Sequence, residues 1–251
     1  MTKAIGVDLG GSGFRIAVVD GQSGTILGQV SRFDHIEPLS KQSILQHIRQ
    51  ALDEFPPDLP LGIGFPGMTR GNRVLSAPNL GKDWNDTDIA NELGKKRTIA
   101  LLNDADAAAI CEQQVGNGKD SEGTMLMVTI GTGLGTGVVV NGEVQPHRDL
   151  GLLQFPNRLE SLEYYASARA KRLHDLDFET WAEELNVALN QFVQLTNANH
   201  VVLSGAICHE FETFYPFLDI GVPLRKALNI DTAGIIGAAL HSIHLQERRD
   251  V

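Results

Sequence analysis

Two carboxylates and two glycine-rich turns are the residues of this chain best suited to chemistry. The first turn lies in "VDLGGSGFRIAVVDG" (7–21), where Gly10, Gly11, Ser12 and Gly13 interrupt a strand-like run. Glycine weakens a strand unless the backbone must turn sharply or let something come close. A plain hairpin answers that need. So does a turn whose bare N–H groups cradle phosphate, with Asp8 beside a bound cation. The pattern returns in "TMLMVTIGTGLGTGVVVNGEVQ" (124–145), with Gly131, Thr132, Gly133 and Gly135. At an offset of 121, Gly10 meets Gly131, Ala17–Val19 meet Val138–Val140, and Asp20-Gly21 meets Asn141-Gly142. A supersecondary unit duplicated in this way favours two phosphate loops facing one ligand across a cleft.

Asp104 follows the apolar run "TIALL" (98–102) and opens "ADAAAICEQQVG" (105–116), so it sits where a buried strand passes into a helix. Functional side chains of α/β folds concentrate at that position. A carboxylate there can accept the proton of an attacking hydroxyl during phosphoryl transfer. It can also simply cap the helix; the two roles are compatible. Asp106 lies one step further into the helix and is the less suitable acid.

The surrounding elements read as α/β. Strands are expected over 3–8, 14–20, 25–30, 61–65, 98–102 and 200–205. Helices are expected over 39–55, 86–94, 105–116, 159–173, 177–196, 207–215 and 232–245. The chain has 251 residues and 42% hydrophobic content, enough for two modest units with real cores. No apolar run reaches membrane-spanning length and no signal-peptide pattern opens the chain. A net charge of −10 disfavours nucleic acid as a partner. Only Cys111 and Cys208 are present, which disfavours a disulfide scaffold or a cysteine-rich zinc site and points to the cytoplasm. The segment "GIGFPG" (62–67) spells a dinucleotide motif but lacks the following helix that gives the motif meaning. The eight histidines, His35 and His147 among them, show no zinc-ligand context.

Taken in order, "VDLGGSGFR", "GIGFPG", "APNLGKDW", "LLNDADAAA", "TIGTGLGTGVVVNGEV" and "LSGAI…TAGIIGAAL" resemble the ROK family of sugar kinases, and most of all its polyphosphate/ATP-dependent glucokinase branch. The resemblance spans nearly the whole chain. It implies an actin-like, hexokinase-like (ribonuclease H-like) fold of two duplicated α/β lobes with the active site between them. The lobes would be 1–104, with a helix of about 235–251 packing back on it, and 105–234. It implies a sugar kinase using ATP or polyphosphate with Mg²⁺, no zinc, no DNA-binding helix-turn-helix, and a homodimer. Asp104 would be the general base and Asp8 the metal-proximal acid, acting through water. Gly10, Gly11, Ser12, Gly13, Gly131, Thr132, Gly133 and Gly135 would hold phosphates. Gly205, Ala206, Ala233 and Gly234 would receive a nucleoside. Asn79, Asn103, Asp104 and Asp149 would contact the sugar.

One segment departs from the family. Where the glucokinase branch has an E-L-G-H-x-E type stretch that grips sugar hydroxyls, this chain reads "DLGLLQ" (149–154). Asp149 is one methylene shorter than glutamate, Leu152 replaces the histidine, and Gln154 replaces the second acid. Leucine neither donates nor accepts a hydrogen bond, and losing such a partner costs about 1–3 kcal/mol. Glucose is therefore expected to be a poor substrate. The alternative is a non-catalytic sugar- or nucleotide-binding relative with a degraded sugar site.

Overall fold

The computed structural model describes residues 2–35, 39–78, 80–94, 97–119, 122–154 and 158–248. In chain order the elements are β1 (Lys3–Leu9), β2 (Gly13–Asp20), β3 (Ile26–Asp34), α1 (Lys41–Leu52), β4 (Leu61–Phe65), β5 (Met68–Arg70), β6 (Arg73–Ser76), α2 (Ile89–Leu93), β7 (Ile99–Asn103) and α3 (Asp104–Val115). There follow β8 (Thr124–Ile130), β9 (Leu134–Val140), β10 (Glu143–Val144), α4 (Leu162–Ala166), α5 (Ala168–Leu173), α6 (Phe178–Thr196), β11 (His200–Ser204), α7 (Phe211–Phe214), β12 (Leu224–Lys226) and α8 (Ala233–Glu247). Two compact units result, one of Met1–Cys111 with Thr232–Val251, the other of Glu112–Asp231.

The first unit is built on a sheet in the order β3-β2-β1-β4-β7. β1, β2 and β3 form an antiparallel meander, while β4 and β7 run parallel to β1. Alternation decides its two faces. Ile5, Val7, Leu9, Leu61, Ile63 and Phe65 share a core with Ile44, Leu45 and Ile48 of α1. On the alternate positions stand Gly6, Gly62 and Gly64. A Cβ on Gly6 would lie 2.0 Å from the Ile235 carbonyl oxygen, and one on Gly62 would lie 1.7 Å from that of Ala238. The backbone of α8 thus rests directly on the sheet, which explains Gly62 of "GIGFPG" without any dinucleotide, while Gly67 is needed because its Cβ position is 2.2 Å from the Ser76 carbonyl oxygen. α8 meets α3 in the same way, with a Gly237 Cβ position 1.7 Å from the Ala107 carbonyl oxygen.

The second unit repeats the plan in the order β10-β9-β8-β11-β12, with β11 and β12 parallel to β8. Its core gathers Trp181, Leu185, Leu189 and Phe192 of α6 against Leu126, Val128 and Leu203 of the sheet. The α/β class and the duplicated topology are those expected. Two details differ. Ile5 pairs with Val18 and Leu126 with Val138, so the offset is 121 before the turn but 120 after it. The second turn is one residue shorter, and the structural counterpart of Val18 is Val138 rather than Val139. The helix expected over 159–173 is also broken. Ser167 is extended (φ −71°, ψ 161°), and its side chain caps α5 by accepting from the Ala170 N–H. A serine oxygen that bonds the backbone locally starts a new helix rather than continuing the old one.

Candidate functional site

At the carboxyl end of the parallel strands, the first unit brings Asp8, the first glycine turn, Asn103, Asp104 and Gly234 to one sheet edge. Asp8 pairs in register with Gly64 of β4. A Cβ on Gly64 would lie 3.6 Å from the Asp104 Cα and 3.7 Å from the Gly234 carbonyl oxygen. Gly234 in turn has no room for a side chain, because its Cβ position is 2.7 Å from the Asp8 Oδ1 atom. Ala233 and Gly234 form the first turn of α8, so the Asp8 carboxylate faces that helix start. Asp8 Oδ2 also accepts from the Arg15 guanidinium at 2.5 Å across the hairpin. Arg15 is not singled out by the sequence, although it is the residue placed opposite Asp8 by the β1–β2 register.

The helix cap belongs to Asn103. Its Oδ1 accepts from the N–H groups of Ala105 (2.7 Å) and Asp106 (3.4 Å), and its Nδ2 donates to the Gly67 carbonyl at 3.1 Å. Asn103 is 4% exposed, so its amide serves mainly to cap α3 and to anchor the loop after β4. The capping role considered for Asp104 therefore falls to its neighbour. Asp104 occupies the first helical position, with Oδ1 accepting from the Ala105 N–H at 2.9 Å. Asn79 lies outside the described residues.

The two glycine turns share a construction. The Gly10 N–H donates to the Gly13 carbonyl (2.8 Å) and the Gly131 N–H to the Gly133 carbonyl (3.0 Å). Among the described residues, the N–H groups of Gly11 and Ser12, and of Thr132 and Gly133, have no partner. Gly13 is required by crowding, since its Cβ position is 2.3 Å from the Phe33 carbonyl oxygen. Gly11 and Gly131 have neither a crowded Cβ position nor a positive φ. The fold does not require glycine there, and the bare backbone leaves room for a ligand to come close. His35 secures the first turn: its N–H donates to the Ser12 carbonyl at 2.9 Å, and its ring Nε2 lies 2.9 Å from the Gly10 carbonyl oxygen.

In the second unit the shorter turn meets the end of β11. The Gly205 Cβ position is 2.3 Å from the Ile130 carbonyl oxygen, so Gly205 and Ala206 sit against the strand that leads into the turn. Gly135 lies within β9, opposite Thr129. Glu163 supports the turn from α4, with its Oε2 accepting from the Leu134 N–H at 3.2 Å. The 149–154 segment is fixed to β9 by the buried Thr136 hydroxyl, which donates to the Arg148 carbonyl (2.6 Å) and accepts from the Leu150 N–H (3.3 Å). Asp149 Oδ1 lies 2.7 Å from Nε2 of His147, a ring that the sequence leaves among scattered histidines. Leu152 is 54% exposed and offers an apolar surface. Cys111 and Cys208 are both buried and neither is in a disulfide, and burial pushes the Cys208 thiol up to about 12, which makes it no nucleophile at neutral pH. Among the described residues, no group of three or more His, Cys, Asp or Glu side chains could hold a metal ion by itself.

Comparison with known proteins bears on the family and the fold. A family model described as ROK family matches residues 4–148. A polyphosphate glucokinase of Mycobacterium tuberculosis (strain CDC 1551 / Oshkosh) is 29% identical over 241 residues, covering 95% of this chain and 90% of its own. A glucokinase of Thermotoga maritima is 34% identical over 154 residues, covering 59% of this chain and 47% of its own. The crystal structure of an inorganic polyphosphate/ATP-glucomannokinase from Arthrobacter sp. strain KM superposes with a TM-score of 0.89 at 30% identity, covering 98% of this chain and all of the other.

Proposed function

The chain belongs to the ROK family, and from that premise we propose that it is a carbohydrate kinase, transferring a phosphoryl group from ATP or polyphosphate to a sugar hydroxyl. One observation carries the reading: a single sheet edge of the first unit gathers an anion-ready turn, Asp8 and Asp104 around Gly64. In the proposed reaction, Asp104 accepts the proton of the attacking sugar hydroxyl. The new O–P bond forms as the terminal P–O–P bridge breaks, and the charge developing on the phosphates is met by unengaged N–H groups of the turn. Asn103, locked by its cap, holds the strand end that presents Asp104.

Mg²⁺ fits this donor set, because it is usually held by one or two carboxylates together with donor phosphates and water. Asp8 would be its protein contact, through water, and the ion would neutralise charge on the transferring group. Cys111 and Cys208, both buried and neither in a disulfide, support a reducing, cytoplasmic setting. On the acceptor side, Asp149 paired with His147 and the exposed Leu152 support a sugar other than glucose.

The test is a panel of hexoses and substituted sugars, each offered with ATP and with polyphosphate, reading donor consumption. Turnover with at least one sugar is expected, with glucose among the weaker acceptors. Glucose turnover with kcat/KM of about 10⁴ M⁻¹s⁻¹ or more would refute the acceptor part. No turnover on any sugar would return the protein to the non-catalytic alternative.

A further inference from the structure

The second unit holds a pocket that the kinase reading leaves unassigned. Its volume is about 90 Å³, and its lining joins Thr132 of the second glycine turn to Ser161, Glu163, Tyr164, Ser167 and Arg169. Arg169 is tied to the turn, since its backbone N–H donates to the Gly131 carbonyl at 3.1 Å. The break at Ser167 is what starts α5 at this place, so that Arg169 borders the turn.

Charges around the pocket divide into engaged and unengaged. Arg158 is committed to Glu184, and Lys171 donates to the Leu176 carbonyl at 2.6 Å with its Nζ over the Phe178 ring. The guanidinium groups of Arg169 and Arg172 are exposed and, among the described residues, make no hydrogen bond or ion pair. They are three apart on α5 and so lie on one face. Glu163 is the acid of the pocket; its Oε2 is spent on the Leu134 N–H. Its carboxylate also stands against Gly133, with Oε2 2.2 Å from the Cβ position of that residue, so an anion in the pocket is met by the Thr132 amide and the arginine side.

In a chain of net charge −10, two unengaged guanidinium groups beside the unengaged Thr132 amide suit a polyanion with repeated bidentate sites. We infer that the Thr132–Arg169 pocket and the Arg172 face of α5 bind phosphates of an inorganic polyphosphate chain beyond the one transferred. The inference rests on the kinase reading and names the donor class it prefers. A nucleoside triphosphate has few phosphates to offer both arginines, whereas a long chain has many.

The experiment uses the full chain, long-chain polyphosphate and the variants R169Q/R172Q and R169K. Equilibrium dialysis at low salt measures binding without any need for turnover. Loss of two charge-assisted contacts is expected to raise the polyphosphate Kd about tenfold or more. R169K, which keeps the charge but not the fork, should fall between. With a working sugar, the double variant should lose about tenfold more kcat/KM with polyphosphate than with ATP. Unchanged polyphosphate affinity overturns the inference. So do equal losses with both donors, which would assign the arginines to phosphates that both donors share. A wild type that transfers phosphate from neither donor, yet binds polyphosphate through these arginines, would refute the kinase reading and uphold this one.

Discussion

At the scale of single residues, the division of labour between Asn103 and Asp104 decides what substitutions will do. Because Asn103 caps α3, Asp104→Asn removes a base without removing the cap. The variant is expected to keep its Tm within a few degrees and to lose kcat by about 10²-fold or more, with donor KM little changed. Turnover within a few-fold of wild type would exclude the base role. His35 acts one step back from the chemistry. It holds the carbonyls of Gly10 and Ser12 and so fixes which way the turn's amides face. His35→Ala should raise the donor KM by roughly three- to tenfold with a smaller effect on sugar KM, and His35→Asn should recover part of the loss. Equal effects on both substrates would make the residue merely structural.

At the scale of elements, the contact between α8 and the first sheet depends on absent side chains. Gly62 and Gly64 are both glycines of β4 and both face away from the α1 core, yet only Gly62 is crowded by helix backbone. Its Cβ position is 1.7 Å from the Ala238 carbonyl oxygen, while that of Gly64 meets its neighbours at 3.5 Å or more. Backbone cannot give way as a flexible side chain can. Gly62→Ala is therefore expected to destabilise by about 3 kcal/mol and Gly64→Ala by less than about 1 kcal/mol. Urea unfolding of the two variants checks the contrast, and equal costs would refute the packing account. Loss at Gly62 should also impair activity indirectly, because α8 carries Gly234 against Asp8.

At the scale of the whole molecule, α8 also links stability to pH. Burial, with a smaller contribution from His244, lowers the His241 pKa to about 4. The unfolded chain takes up this proton near pH 6.5 and the folded chain does not, so acid favours unfolding across that window. Stability should fall by up to about 2 kcal/mol between pH 7 and pH 5 from this residue, and His241→Leu should flatten that part of the profile in denaturant titrations. An unchanged slope would assign the acid sensitivity elsewhere. The same molecule shows what one chain of letters determines. Period-two alternation in β1 and β4, the glycine turns and their duplication, and the strand-to-helix step at Asp104 are local patterns, and local sterics are written in the sequence. What closes a space between distant residues is not. The sequence shows that Gly62 belongs to no dinucleotide motif, but why the position is glycine appears only when α8, more than 170 residues later, is seen lying on it. The one-residue offset shift appears only when strand pairs are matched, because a turn's length is set by which residues bond across it. His35, Arg15 and Arg169 gain meaning from the backbone they touch or face, and spacing along the chain carries no record of that. Tertiary structure alone brings those partners together, since the hydrogen bonds and close contacts that define their roles join residues far apart in sequence.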